Sequence, residues 1–529
     1  MKQIPRHQTF AAFVLLTLIC SVSWGVFSDL SNSDLRSQSR KQFAENNIKE
    51  AYDGFSELVT RSDTGGKELV QDMSMLFQCM QRLRKHAEFD QLIEKIIAAH
   101  SKDWRVLSQA IQQYQSVPKH GVLVDNQWQR APQRITGQVL NSTDRDRVRA
   151  LQLFEQAVPF AMQEPNKSEA AQLFVQLAHA LQLNGGAWRL QTMTDLTTLP
   201  DYDKGYGRGY GGQGAPVDLE GKPVYHSLVR SWNDAKTDGQ RWRWALSTAA
   251  EVNPAIRLQM QLQLAQFLHG QFGVQTMSHY GARNNWGRNA EDDQNDARKG
   301  RYSVDSLNDS ETIAQLATGV TRFDMPDEFN HIKLFRDITT AASSQEINIR
   351  MQAGRSLANI YLNRRQFTQG ATVLRDLIKR FPSQSSVRNI KTQLQSVVGN
   401  WGSFDPISGQ TTNEQKSFTY KFRNASKVTF QAQRIDVNKL INDIKAHINN
   451  GQQFNTLHTI NNLGSLIFHK NESKYITEQV AKWSVALEPR EGHFDRRVTI
   501  DVPLDVTGAY KITANVEGGN TTSIVYWLN

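Results

Sequence analysis

A handful of places in this 529-residue chain carry residue types that perform chemistry in other settings. Cys79 is the first. A thiol nucleophile needs a base to take its proton, and no residue pattern sets one beside it. It follows Met75 and Leu76 and precedes Leu83, so it reads as a small buried hydrophobe on a helix. His493-Phe494-Asp495 is the nearest approach to a His/carboxylate pair, and it reads as a capped turn ahead of a strand rather than a dyad. Gly207, Gly209 and Gly212 spell GxGxxG inside the Gly/Tyr-rich loop 201–226. A dinucleotide site needs that motif between a buried strand and a helix. Here Thr197 to Pro200 precede it and Pro216 follows. Gly221-Lys222 resembles the end of a P-loop, but Pro223 stands where a Ser or Thr must meet magnesium.

Two further clusters read the same way. Arg241-Trp242-Arg243-Trp244 interleaves cations with rings that stack on bases in nucleic-acid binders. Following Asp234 and Asp238, it reads instead as a helix start with one aromatic turned to the core. Glu291, Asp292, Asp293 and Asp296 lack the alternating oxygen ligands and fixed glycine of a calcium loop. No GxSxG elbow and no HExxH helix occurs, and the 13 histidines are dispersed. Two cysteines exclude a disulfide framework and a CxxC zinc site. The excess of 61 basic over 52 acidic residues is thin and scattered, which argues against a nucleic-acid surface. The expectation is a protein with no catalytic residues, no cofactor and no metal, whose partners are proteins.

The elements that would position such residues fall into two kinds. From 28 to 400 apolar residues recur at three- and four-residue spacings, the helical period. Glu346 to Pro382 is the clearest stretch. Leu357-Ala358, Tyr361, Gly370 and Pro382 fit the tetratricopeptide (TPR) template, while Gly354 stands where a large aromatic is usual and Leu377 where a small residue is usual. A second copy spans Ser37 to Arg61, with Ala51, Phe55 and Leu58 in register, and a weaker pair spans Arg147 to Leu183. Such hairpins bury their apolar faces by stacking, so a solenoid is predicted. Residues 401–416 carry Pro406, Gly409 and threonines and read as a linker.

From 417 to 529 the period becomes two. Phe418/Tyr420/Phe422, Val428/Phe430/Ala432, Val498/Ile500/Val502, Tyr510/Ile512/Ala514 and Ile524/Tyr526/Leu528 each alternate with polar residues. One helix interrupts at Val437 to Ile448. About seven short strands in roughly 110 residues predict an antiparallel β-sandwich. The predicted class is therefore α+β and multidomain: a TPR-like helical solenoid followed by a C-terminal sandwich.

Residues 1–27 stand apart. Lys2 and Arg6 precede an apolar run from Phe10 to Ile19, with small residues at Ser23 and Gly25. This reads as a secretory signal cleaved after Gly25. The rival reading is an uncleaved anchor, because apolar character continues through Phe27 to about the minimum length of a span. Both readings put the rest of the chain outside the cytoplasm, in the envelope or beyond.

The C-terminal module also resembles the first macroglobulin-type domain of large bacterial alpha-2-macroglobulin-like proteins. The residues that carry the likeness are Trp483, Leu487, Pro489, His493, Asp495, Pro503, Leu504, Gly508, Ala509, Tyr510, Gly519, Asn520 and Trp527. The Gly/Tyr loop and Gly319, Arg322, Phe323, Pro326, Asp327, Glu328 and Phe329 resemble the helical region that precedes it in that family. The resemblance implies an envelope protein that traps or blocks proteases through a bait region and a Cys-to-Gln thioester. Glu155-Gln156, Glu414-Gln415 and Glu478-Gln479 are the Glu-Gln pairs here, and none has a cysteine two residues before it. The expectation is thus the non-catalytic N-terminal part of such an endopeptidase inhibitor, without bait region or thioester. The alternative is a stand-alone TPR-type envelope scaffold.

Overall fold

The computed structural model describes residues 30–125, 127–130, 138–182, 186–205, 212–279, 302–342, 346–406, 416–449 and 463–528. The chain divides into two compact units, Met1–Gln261 and Leu262–Asn529. The first is mostly helical. The second combines helices with antiparallel sheets. The signal or anchor at 1–27, Gly207, Gly209 and the acidic cluster at 291–296 lie outside the described residues.

The first unit opens with α1 (Asn32–Ala44) and α2 (Ile48–Thr60), then α3 (Gly66–Leu83), α4 (Phe89–Ala99) and α5 (Trp104–Ser116). Leu35, Ala51, Phe55, Leu58, Leu69, Met73, Leu76, Ile93 and Ile96 are fully buried along facing stripes. Such stripes drive helices this short, because propensity alone leaves them marginal in water. Asp103 serves two helix starts at once. Its carboxylate accepts from Arg105 N (3.0 Å) at the head of α5 and from Gly66 N (2.7 Å) at the head of α3.

The sequence hides the strands that follow. β1 (His120–Val124) pairs with β2 (Gln127–Arg130) and with β3 (Leu140–Asn141). Next come α6 (Thr143–Met162), α7 (Lys167–Gln182), the short α8 (Gly186–Leu190) and β4 (Asp203–Lys204), which joins β3. The unit's last full helix is α9 (Asp238–Val252), and α10 (Arg257–Phe272) carries the chain into the second unit. The uniformly helical reading of 28–400 is corrected here. The strands are two to five residues long, too short to print a period of two on the sequence.

Buried charge pins this small sheet. The Arg130 guanidinium forks onto both oxygens of Asp90 (2.8 and 2.7 Å) and both of Asp146 (2.7 and 2.8 Å), with Ser142 Oγ at 2.7 Å. The side chains of Arg130 and Asp146 are almost wholly buried. Paired carboxylates hold the guanidinium above its usual range despite burial.

In the second unit β5 (Glu311–Leu316) and β6 (Gly319–Asp324) form a hairpin inside what the sequence presents as helical. Gly319, Arg322 and Phe323 are therefore strand residues, and Asp327, Glu328 and Phe329 form a single 3-10 turn. The helices α11 (His331–Thr340), α12 (Ile347–Asn363), α13 (Phe367–Arg380) and α14 (Val387–Val398) follow. The α12/α13 hairpin accounts for both departures from the TPR template. A Cβ on Gly354 would collide with Leu377 Cδ2, so the missing aromatic makes the room that the oversized Leu377 fills. The two departures are one exchange of volume between facing helices.

Among the described residues, seven strands and two helices follow: β7 (Trp401–Phe404), β8 (Ser417–Arg423), β9 (Lys427–Ile435), α15 (Val437–Asn449), α16 (Leu463–Lys470), β10 (Ile476–Ala486), β11 (Arg496–Asp501), β12 (Gly508–Val516) and β13 (Thr521–Leu528). They form a four-stranded antiparallel sheet ordered β10-β9-β12-β13 and a three-stranded one ordered β11-β8-β7. One hydrophobic cluster takes Phe418, Tyr420 and Phe422 from the smaller sheet and Val428, Phe430, Ile512, Ala514, Tyr526 and Leu528 from the larger. Asn520 ties the sheets at one corner, its side-chain amide accepting from Gly402 N (2.8 Å) and donating to Gly402 O (2.9 Å).

The linker reading of 401–416 is corrected at its start. Trp401–Phe404 is a strand paired with β8. Gly402, which reads as linker chemistry, is required because a side chain there would strike the Tyr420 ring. Residues 407–415 lie outside the described set.

Candidate protein-binding surface

Three helix ends in this fold close in the same way. Asn46, Arg84 and Arg365 each take the left-handed conformation, at φ 64°, 57° and 59°. The next residue's N–H then bonds back to a carbonyl in the last turn: Asn47 to Gln42 (2.8 Å), Lys85 to Met80 (3.0 Å) and Gln366 to Tyr361 (2.9 Å). This is the Schellman closure, made here without glycine at a modest steric cost. It turns α2 back on α1 and α13 back on α12 through the same tight geometry, and starts the turn from α3 toward α4. Helix pairs built this way leave grooves between neighbours.

One such groove, of about 450 Å³, is lined from α2 by Tyr52, Asp53, Ser56, Glu57 and Thr60. Lys85, Glu88, Gln91, Leu92 and Lys95 face them from α4 and its approach. The α2 residues share a face because their spacing matches the helical turn. Tyr52 OH donates to Glu88 Oε2 (2.6 Å), and the Lys85 ammonium sits 4.4 Å from the Tyr52 ring centre. Burial and the Glu88 carboxylate push the Tyr52 phenol up. Burial also raises the Asp53 carboxyl, against the pull of Lys85 and Lys49. The groove therefore presents both charge signs over a floor that holds the buried Tyr52 ring, a surface suited to a polypeptide.

A second open cleft, of about 600 Å³, lies where the α4–α5 turn meets the end of α6. Trp104 Nε1 donates to Glu164 (3.3 Å), and Arg105 pairs with Glu164 (2.7 Å) and Glu169 (2.9 Å) while lying over the Trp104 ring at 4.7 Å. Its polar groups already bond one another, as Tyr52, Lys85 and Glu88 do in the first groove, where Asp53, Gln91 and Lys95 stand exposed.

The sequence-derived chemical candidates are not assembled into a centre. Cys79 is fully buried on α3 and its thiol is pushed up to about 11 by burial, the inert form of cysteine. His493 and Asp495 face different partners. The His493 ring meets Asn424 Oδ1 at 2.9 Å, while Asp495 takes Arg423 (2.6 Å) and Lys421 (3.2 Å). In the Gly/Tyr loop, Gly212 packs on the Trp188 ring and Gly214 O accepts from Trp188 Nε1 (2.9 Å). Gly221-Lys222 closes a tight turn held by the Asp218 carboxylate. Trp242 is buried in α9, the aromatic turned to the core. Among the described residues no three His, Cys, Asp or Glu side chains are placed to hold a metal ion. No described helix is long and apolar enough to cross a membrane.

One cluster has no signal in the sequence. His331 on α11 is fully buried with both ring nitrogens unpartnered, and its ring lies 5.2 Å from His269 on α10. Arg364 is also fully buried; its Nη1 donates to Asn308 O (3.2 Å), while Nε and Nη2 have no partner. Burial, with the Arg364 charge, drives His269 down to about 4. The three residues come from distant parts of the chain, so no spacing foretells them.

A scan against protein-family models finds no match to this chain, and a search of curated proteins finds none either.

Proposed function

We propose that this chain is a non-catalytic, protein-binding scaffold of the cell envelope. In this reading the helical hairpins stack as a TPR-like solenoid and the two C-terminal sheets form a macroglobulin-like β-sandwich. The observation that carries it is the α2/α4 groove, whose mixed charge, with Asp53, Gln91 and Lys95 exposed, lies between helices whose turns close in the same left-handed way. The resemblance of the C-terminal module to macroglobulin-type domains supports a place beside envelope protease inhibitors. The shared core of Phe418, Tyr420, Phe430, Ile512 and Tyr526 supports the sandwich.

Chemical cross-linking in intact envelopes, read by mass spectrometry, tests the scaffold. Partner cross-links are expected on Lys85 and Lys95, and Asp53→Arg with Gln91→Glu, which keep both amines, should abolish them. Cross-links confined to other surfaces, or unaffected by that pair of changes, reject it. The inhibitor role is tested separately by adding the purified chain to a panel of proteases. Protection of protein substrates but not of small peptides supports steric blocking, and no protection of either removes it.

A further inference from the structure

The seam between α13 and the turn 490–495 gathers arginines around two rings. Phe367, at the head of α13, meets Phe494 edge-on with centroids 5.1 Å apart. The guanidinium of Arg365 lies 5.7 Å from the Phe494 ring centre and that of Arg490 lies 5.3 Å from it. Arg423 sits 5.9 Å from both Phe367 and Trp401. Arg375 is exposed on α13, and burial, then the charges of Arg375 and Arg423, hold the His493 imidazole below its usual range.

Little negative charge answers these cations. Asp495 is taken by Arg423 and Lys421, Glu488 by Arg496 (3.1 Å) and Asp376 by Arg380 (2.5 Å). Arg375 and Arg490 are exposed and have no ion pair among the described residues, and neither has Glu491 on the same turn.

We propose that this seam is a docking surface for an acidic peptide segment, whose carboxylates meet the exposed Arg490 and Arg375 beside the Phe367/Phe494 pair. Charge complementarity carries the choice of partner. The fork of a guanidinium matches a carboxylate in two parallel hydrogen bonds, and the Phe494 ring keeps the Arg365 and Arg490 guanidinium groups beside it. Nucleic acid is the weaker match. Guanidinium groups already lie against the ring that would receive a base, and the cations form a cluster rather than a track along a backbone. The surface is distinct from the α2/α4 groove and extends the protein-binding reading to a second site.

Fluorescence anisotropy tests it, with a fluorescein-labelled glutamate-rich peptide titrated by the full chain at low and at physiological salt. Saturable binding is expected. Arg375→Glu with Arg490→Glu should weaken it about ten-fold or more, the size of losing charge-assisted hydrogen bonds. The Lys counterparts, which keep charge but lose the fork, should fall between. Lys95→Glu in the groove should leave this affinity unchanged, so failure of the groove and failure of the seam are read apart. Should the double variant unfold, Arg375→Gln alone, an exposed helix position, carries the test. Absence of binding, an affinity indifferent to these changes, or tighter capture of single-stranded DNA or anionic vesicles overturns the proposal.

Discussion

At the scale of single residues, volume and protonation decide the outcome. Gly354 and Leu377 exchange bulk across the α12/α13 interface. Gly354→Ala is therefore expected to cost about 1–3 kcal/mol by overpacking. Its effect should shrink in a Leu377→Ala background, although that change opens a cavity of its own. A double-mutant cycle by urea unfolding checks it, and additive costs would contradict the exchange. Protonation gives the second residue-scale prediction. Burial lowers His226 and His269 to about 4 from an ordinary value of 6.5. The folded state thus binds fewer protons than the unfolded one. Each group's stability is complete above about pH 6.5 and is lost as pH falls toward 4, reaching about 3 kcal/mol. Thermal melts from pH 7 to pH 4 should show this slope, and His226→Gln should flatten it. A slope identical in that variant would show that His226 carries no part of it.

At the scale of elements, the helical hairpins are legible and the ties between elements are not. Ala51, Phe55 and Leu58 announce α2 because a buried stripe repeats at the helical period. Five strands of the second unit are equally plain, their alternation matching the inward and outward faces that burial shows for β8 and β9. β10 escapes because it is an edge strand whose residues from Thr477 to Val480 are all exposed, and its pairing with β9 shifts register twice in that stretch. β7 escapes because four residues carry too little pattern. The Arg130 network is invisible for a different reason: Asp90, Arg130 and Asp146 meet only after three elements are in place. Arg130→Met is expected to cost about 3 kcal/mol, because it leaves Asp146 buried with Lys119 as its remaining cation. Chemical denaturation reads this directly, and a loss under about 0.5 kcal/mol, typical of an exposed site, would rule it out.

At the scale of the molecule, the composition boundary near Trp401 is not where the chain divides. Helices α11 to α14 belong to the same compact unit as the sheets. The turn at Asn424 explains part of this. Its side chain donates to Val397 O (3.0 Å) and Gly399 O (2.9 Å), and Arg423 donates to Ser396 O (2.8 Å), so the β-module caps the open carbonyl end of α14. A fragment cut to begin at Ser417 should therefore melt lower and less cooperatively than one beginning at Val387. Equal melting by calorimetry would mean that β7 and the α14 cap add nothing.

That cap also governs how the second unit bears a pull. A slack tether between helices and sheets would pay out before any load reached either. Here only Gly399 and Asn400 separate α14 from β7. Tension applied along the chain meets the Asn424 and Arg423 bonds and the β7–β8 ladder at once, so the joint yields by rupture rather than by extension.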